Sequence, residues 1–161
     1  MAKIVNIEEV EKLSKQFHSL GKTIVVAGGC FDILHSGHIT LLENAKKEGD
    51  VLFVLLESDS AIKKRKGIHR PIHTQHERAH MISRLQDVDV VVVLPDTMTD
   101  SDYDTLIRAI HPTVIATTEN DTHITHKERQ AQLVGARVKQ VNKYLPAVST
   151  TKLLDVLSKE L

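Results

Sequence analysis

Apolar residues gather in five short, mostly β-branched runs separated by stretches of helical spacing. The runs cover 23–27 (TIVVA), 51–56 (VLFVLL), 88–94 (VDVVVVL), 113–116 (TVIA) and 137–141 (RVKQV). The middle runs are almost unbroken apolar sequence, as strands covered on both faces of a parallel sheet require. Helix signals fill the gaps. Asn6 with Glu9, Thr74 with Glu77 and Thr125 with Glu128 have the spacing of capping boxes. Ile39, Leu41, Leu42 and Ala45 make an apolar stripe over 37–48, which Gly49 ends. Leu106, Ile107 and Ile110 make another, stopped by Pro112, and Leu153, Leu154 and Leu157 mark a last helix. Alternating strands and helices predict an α/β fold, a five-stranded parallel sheet with helices on both faces. Ligands of such sheets sit beyond the carboxyl ends of the strands, so the loop after the first run is the place to look.

Composition narrows the class. The 161 residues suit a single domain spanning 1–161. With 41% hydrophobic and 26% charged residues, the chain is ordinary for a globular protein. Lys and Arg number 21 against 21 Asp and Glu, so a strongly basic nucleic-acid binder is not expected. Aromatics are 3% with no Trp, which leaves no base-stacking platform. The one cysteine, Cys30, builds no internal disulfide framework and fits a reducing compartment. No apolar run approaches the ~18 residues of a bilayer span, and MAKIVNIEEVEKL lacks a signal core. A cytoplasmic protein without membrane or nucleic-acid partners is expected.

The loop reads Gly28-Gly29-Cys30-Phe31-Asp32-Ile33-Leu34-His35-Ser36-Gly37-His38. Two glycines after a strand permit close approach of the backbone to a ligand. A helix starting near Ser36 offers free N–H groups and about half a positive charge to an anion. His35 and His38, three apart, share one face of its first turn, and Gly37 puts no side chain between them. Imidazoles and N–H donors converging on one point suit a polyphosphate. Elsewhere His73, His76 and His80, and the pair His123 and His126, lack the Cys or HExxH partners of a tetrahedral set, so no metal site is expected.

GGCFDILHSGH resembles the nucleotide-binding signature of the cytidylyltransferase-like nucleotidyltransferases, whose hallmark is HxGH. Lys66-Gly67-x-x-Arg70-Pro71 followed by Arg78 resembles the family's second block, and Val148-Ser149-Thr150-Thr151-Lys152 its third. Within the family the chain is similar to the adenylyltransferase domain of bifunctional ADP-heptose synthase, through its opening segment, the GCFD form and the spacing of Ser58, Asp59, Lys63, Lys66 and Arg70. Glycerol-3-phosphate cytidylyltransferases and archaeal FAD synthetases share most blocks. Three places depart from the pattern. Thr117–Asp121 replaces a Gly-Asp turn, Gly28 replaces an Asn, and Lys143 and Tyr144 stand near a phosphate-binding Arg position.

The resemblance implies a Rossmann-like sheet of order 3-2-1-4-5 and transfer of a nucleotidyl group from an NTP to a phosphorylated acceptor, with release of pyrophosphate. It implies ATP and a heptose 1-phosphate, with CTP and glycerol 3-phosphate, FMN adenylylation or a non-catalytic nucleotide sensor as alternatives. His35, His38 and Lys66 become the catalytic residues. Gly29, Cys30, Phe31, Asp32, His35, Gly37, His38, Asn120, Asp121, Ser149, Thr150 and Thr151 would bind the nucleotide. Lys63, Lys66, Arg70 and Arg78 would hold substrate phosphates, with Mg²⁺ carried on the nucleotide and a homodimer as the assembly. The acceptor phosphate, with a second pKa near 6, is already a nucleophile at neutral pH and needs no general base. Simpler roles compete. Asp32 and Ser149 could merely cap turns, Cys30 could be inert core, and the run Lys63–Lys66 could be a solvated face.

Overall fold

The computed structural model describes residues 1–143 and 149–160, and in it the apolar runs become one parallel sheet. Its strands are β1 (Lys3–Asn6), β2 (Ile24–Gly29), β3 (Val51–Leu56), β4 (Val90–Val93), β5 (Val114–Thr118) and β6 (Arg137–Asn142). They lie in the order β1-β4-β3-β2-β5-β6, every neighbouring pair parallel. Six strands in this order correct the expectation of five in the order 3-2-1-4-5. The added strand, β1, has four residues of which only Val5 is buried, so it carries no apolar run. It pairs with β4 at the edge and moves every later strand number up by one.

The helices are α1 (Ile7–Ser19), α2 (Ser36–Lys46), α3 (Asp59–Lys66), α4 (Gln75–Ser83), α5 (Asp100–Ile110), α6 (Ile124–Val134) and α7 (Thr150–Glu160). Strand side chains alternate between two cores. On one face Val25, Ala27, Leu52, Val54, Leu56 and Val91 pack against Leu41, Leu42 and Ala45 of α2 and Ala79 and Ile82 of α4. On the other, Ile24, Val26, Phe53, Leu55 and Val92 meet Val10 and Leu13 of α1, Leu106, Ile107 and Ile110 of α5, and Ala131 of α6. All six residues of β3 are buried, as its unbroken apolar sequence requires.

Capping follows the side-chain chemistry. Asn6 and Thr74 close their expected boxes with Glu9 and Glu77. Thr125 closes none, because α6 begins one residue earlier behind His123, which makes no side-chain cap. Thr99 with Asp102 forms a box on α5, with Asp where the sequence pattern expects Glu or Gln. The topological switch lies at β2. Its chain continues through α2 to β3 on one side, while β5 flanks it on the other.

Candidate functional site

At that switch point lies a cleft of about 330 Å³. Gly28 and Gly29 bring β2 to it, Thr118 ends β5 there, and Asn142 ends β6 there. Two helix N-termini also reach it, α2 through Gly37 and His38 and α7 through Thr150 and Thr151. A wider hollow of about 570 Å³ runs along α1, lined only by charged and polar side chains between Glu8 and Ser19; it is open helix surface far from the loop chemistry.

The glycines belong to β2 rather than following it, paired with Leu55 and Leu56. A Cβ on Gly29 would stand 3.0 Å from the Phe31 ring, a tight contact that the ring would have to yield to by a few tenths of an ångström. Phe31 itself has φ +47°, a left-handed turn that sends its buried ring back under the loop. His35 then caps α2 by backbone geometry alone, making no side-chain cap bond.

The rings of His35 and His38 stack at 3.7 Å between centroids and 20° between planes, with Phe31 5.1 Å from His38. Neither Nδ1 has a partner among the described residues, although both are buried. Burial pushes both imidazoles below their usual pKa. For His38, the like charge of His35 and of Lys66 adds to burial, while the Ile33 carbonyl and Asp32 pull weakly upward, and the result is about 4. At neutral pH the pair is therefore uncharged. A neutral ring carries one N–H, so the pair adds hydrogen-bonding capacity to the free cleft but no standing positive charge.

Behind the loop is a polar layer. Asp32 is buried and accepts from Arg70 Nε at 2.6 Å, from the Ile72 N–H at 2.7 Å and from the His73 N–H at 3.2 Å. Burial alone raises its pKa, but Arg70 and the two backbone donors outweigh that and hold it below the ordinary carboxylate value. Arg70 is buried as well, with Nη2 lacking a partner among the described residues.

Arg78 departs from its expected role as a phosphate ligand. It is fully buried and donates to the carbonyls of His73 (3.0 Å), Cys30 (2.5 Å) and Glu57 (2.9 Å) and to the Asp59 carboxylate (2.7 Å). Four donor bonds leave this guanidinium as the clamp that joins the loop after β2 to the loop after β3. Sequence spacing placed it in the second block, but burial decides what it touches.

Of the basic run, Lys66 lines the cleft beside the histidines. Lys63 is exposed in the last turn of α3, where its carbonyl accepts from Gly67. Cys30 lies outside the cleft lining. Its Sγ faces Glu57 at 3.2 Å and Arg65 at 2.8 Å, and burial followed by the Glu57 charge raises the thiol pKa. Such a thiol is protonated and poorly nucleophilic.

At the other end, Asn120 is exposed with φ +61°, and Asp121 turns back to Lys127, the Thr117 hydroxyl and the His123 N–H. Burial opposes ionisation of Asp121, but these partners win and lower its pKa to about 2. Thr118, Asn142 and Lys143 line the cleft instead. The sequence reading marked 117–121 but chose Asn120 and Asp121 there rather than Thr118, and it passed over Asn142; the signal that could have found both was their place at the carboxyl ends of β5 and β6. Ser149, Thr150 and Thr151 join the lining, with Thr150 Oγ1 donating to the Ile33 carbonyl at 3.4 Å and Ser149 Oγ capping α7 through the Lys152 N–H. Tyr144 and Val148 lie outside the described residues.

Among the described residues no three His, Cys, Asp or Glu side chains gather as metal ligands. Asp32, the loop's carboxylate, is taken up by Arg70, Ile72 and His73.

The sequence pattern of the cytidylyltransferase-like family matches residues 26–156. The chain is 46% identical over 112 residues to the bifunctional protein HldE of Aliarcobacter butzleri, covering 70% of this chain and 23% of that protein. It is 35% identical over 159 residues to the HldE of Geotalea uraniireducens, covering 96% and 31%. The chain thus spans less than a third of the length of these curated relatives. Among solved structures, a lipopolysaccharide core biosynthesis protein from Thermoplasma volcanium is 28% identical, with a TM-score of 0.60 over 78% of this chain and 98% of that one. A pantoate–β-alanine ligase from Francisella tularensis has a TM-score of 0.65 at 14% identity over 98% and 77%, a likeness of fold alone.

Proposed function

The chain belongs to the cytidylyltransferase-like family of nucleotidyltransferases, and from that premise we propose that it transfers an adenylyl group from ATP to a phosphorylated acceptor of the heptose 1-phosphate kind, releasing pyrophosphate. The observation that carries this reading is the stacked, uncharged His35–His38 pair at the N-terminus of α2, with Lys66 beside it on one cleft. Donors fixed before the substrate arrives need no reorganisation as charge develops on the transferring phosphoryl group.

The acceptor phosphate attacks the α-phosphorus in line; the new P–O bond forms as the bond to the β-phosphate oxygen breaks, and pyrophosphate takes that electron pair. His35 and His38 donate N–H groups to the α- and β-phosphoryl oxygens. Lys66 neutralises the charge shared between the reacting groups, and the free N–H groups of α2 and α7 hold the outer phosphates. Arg70 Nη2 is the remaining buried donor near the loop, and Arg78 keeps the loop in shape. Mg²⁺ in this reading arrives on the triphosphate, and no step here depends on a site of the chain for it. ATP and a sugar phosphate are supported by the likeness of GCFDILHSGH and KGxxRP to the adenylyltransferase domain of ADP-heptose synthase. The lipopolysaccharide-core description of the Thermoplasma relative also fits a sugar-phosphate acceptor. The proposal includes a homodimer, read by light scattering.

The deciding experiment measures pyrophosphate from ATP, CTP, GTP or UTP with heptose 1-phosphate, glycerol 3-phosphate or FMN. Turnover is expected with ATP and heptose 1-phosphate. A preference for CTP and glycerol 3-phosphate would replace the substrate assignment, and nucleotide binding without any turnover would make the chain a sensor.

A further inference from the structure

We propose that Asn142 is a positioning residue, whose side-chain amide holds the turn between the two histidines against the edge of the sheet. This rests on the nucleotidyl-transfer reading above. Asn142 is the last residue of β6, half-buried on the cleft wall. Its Nδ2 donates to the carbonyl of Gly37 at 3.1 Å, a contact between residues 105 apart in sequence. Gly37 lies between His35 and His38 in the first turn of α2. The main-chain carbonyl of Asn142 accepts from Glu119 at 2.8 Å, beside the place where the β5–β6 register slips between Thr117 and Thr118. One residue thus ties β5 through its backbone and the histidine turn through its side chain.

Asparagine is a poor strand former, so local propensity gives no reason for it at this position. The reach to Gly37 does. Neither Nδ1 of the His35–His38 stack has a partner among the described residues, so no hydrogen bond at Nδ1 anchors the rings and the backbone turn that carries them bears on their placement. A displacement of that backbone by a fraction of an ångström moves both N–H donors off the phosphoryl oxygens together.

The test compares Asn142→Ala and Asn142→Val, the second of which favours the strand, with Asn44→Ala. Asn44 Nδ2 donates to the Val141 carbonyl at 3.0 Å and so joins the same helix and strand without touching the histidine turn. Pyrophosphate release gives kcat and the KM for ATP, and NMR follows the titration of His38. Both Asn142 variants should lose kcat on the order of tenfold with the KM changed by less than about threefold. In both, His38 should titrate closer to an ordinary histidine as the stack loosens. Asn44→Ala should match wild type in both readouts. Wild-type kcat and an unmoved His38 in the Asn142 variants would overturn the proposal. An equal loss in Asn44→Ala would overturn it too, reducing the contact to general packing of α2 on β6. A wild-type chain without turnover would remove the transfer reading instead, and the His38 titration would then decide the positioning role by itself.

Discussion

Individual side chains divide into those that meet the cleft and those that build it. In the proposed transfer His35→Ala and His38→Ala remove donors to the transition state, so each should lower kcat by roughly 10²–10³ while ATP affinity falls much less; single-turnover kinetics beside equilibrium binding separate the two. Lys66 and Arg78 make the contrast sharper, because both come from one sequence block. Lys66→Ala should reduce kcat/KM at an unchanged urea midpoint, since the side chain is exposed. Arg78→Met should cost about 3–5 kcal/mol of stability, because it leaves three carbonyls and the Asp59 carboxylate without their buried donor. If Arg78→Met folded as stably as wild type, the clamp would be wrong. The His38 shift carries a pH dependence. Its folded pKa, about 4, lies below the ordinary 6.5, so between these values the unfolded chain binds more protons. Stability therefore falls as the pH drops from 6.5 toward 4, and His38→Gln should flatten that part of the curve in urea unfolding at stepped pH.

At the scale of the element, the capping pattern sorts true helix starts from chance spacing. Asn6 accepts from the Glu8 and Glu9 N–H groups while Glu9 reaches back to it, so Asn6→Ala should cost about 1 kcal/mol. Thr125 has the same spacing to Glu128 but sits inside α6, and Thr125→Ala should stay within about 0.5 kcal/mol of wild type. Equal losses in chemical denaturation would erase the distinction. Apolar runs and stripes made five strands and the helices around 37–48, 106–110 and 153–157 legible from sequence. β1 was not legible, because an edge strand of four residues buries only Val5 and borrows its place from β4. The GGCFD–HSGH loop was legible because chemistry and chain order coincide there. Asn142 was not, because its partner Gly37 is 105 residues away and no local pattern records the contact.

The whole molecule sets the charge state of the site. On the proposed reading nucleotide binding brings a triphosphate against imidazoles that are uncharged in the free protein, and its negative charge raises their pKa. ATP should accordingly bind with uptake of protons and more tightly as the pH falls from 7 toward 5. Calorimetry in buffers of different ionisation enthalpy measures that uptake, and heats independent of the buffer would show that the pair stays neutral in the complex.

Sequence by itself determined the alternation of buried strands and amphipathic helices, because hydrophobic periodicity is local and survives any tertiary arrangement. It also determined the loop of glycines and histidines, since the residues that must act together are consecutive. Tertiary structure decided the rest. It brought the N-termini of α2 and α7 and the ends of β2, β5 and β6 to one cleft. It sent Arg78 into the interior and left Lys66 at the cleft, although both are cations of one block. Which cation meets a ligand depends on burial and on the carbonyls within reach, and both are fixed by contacts between segments far apart in the chain.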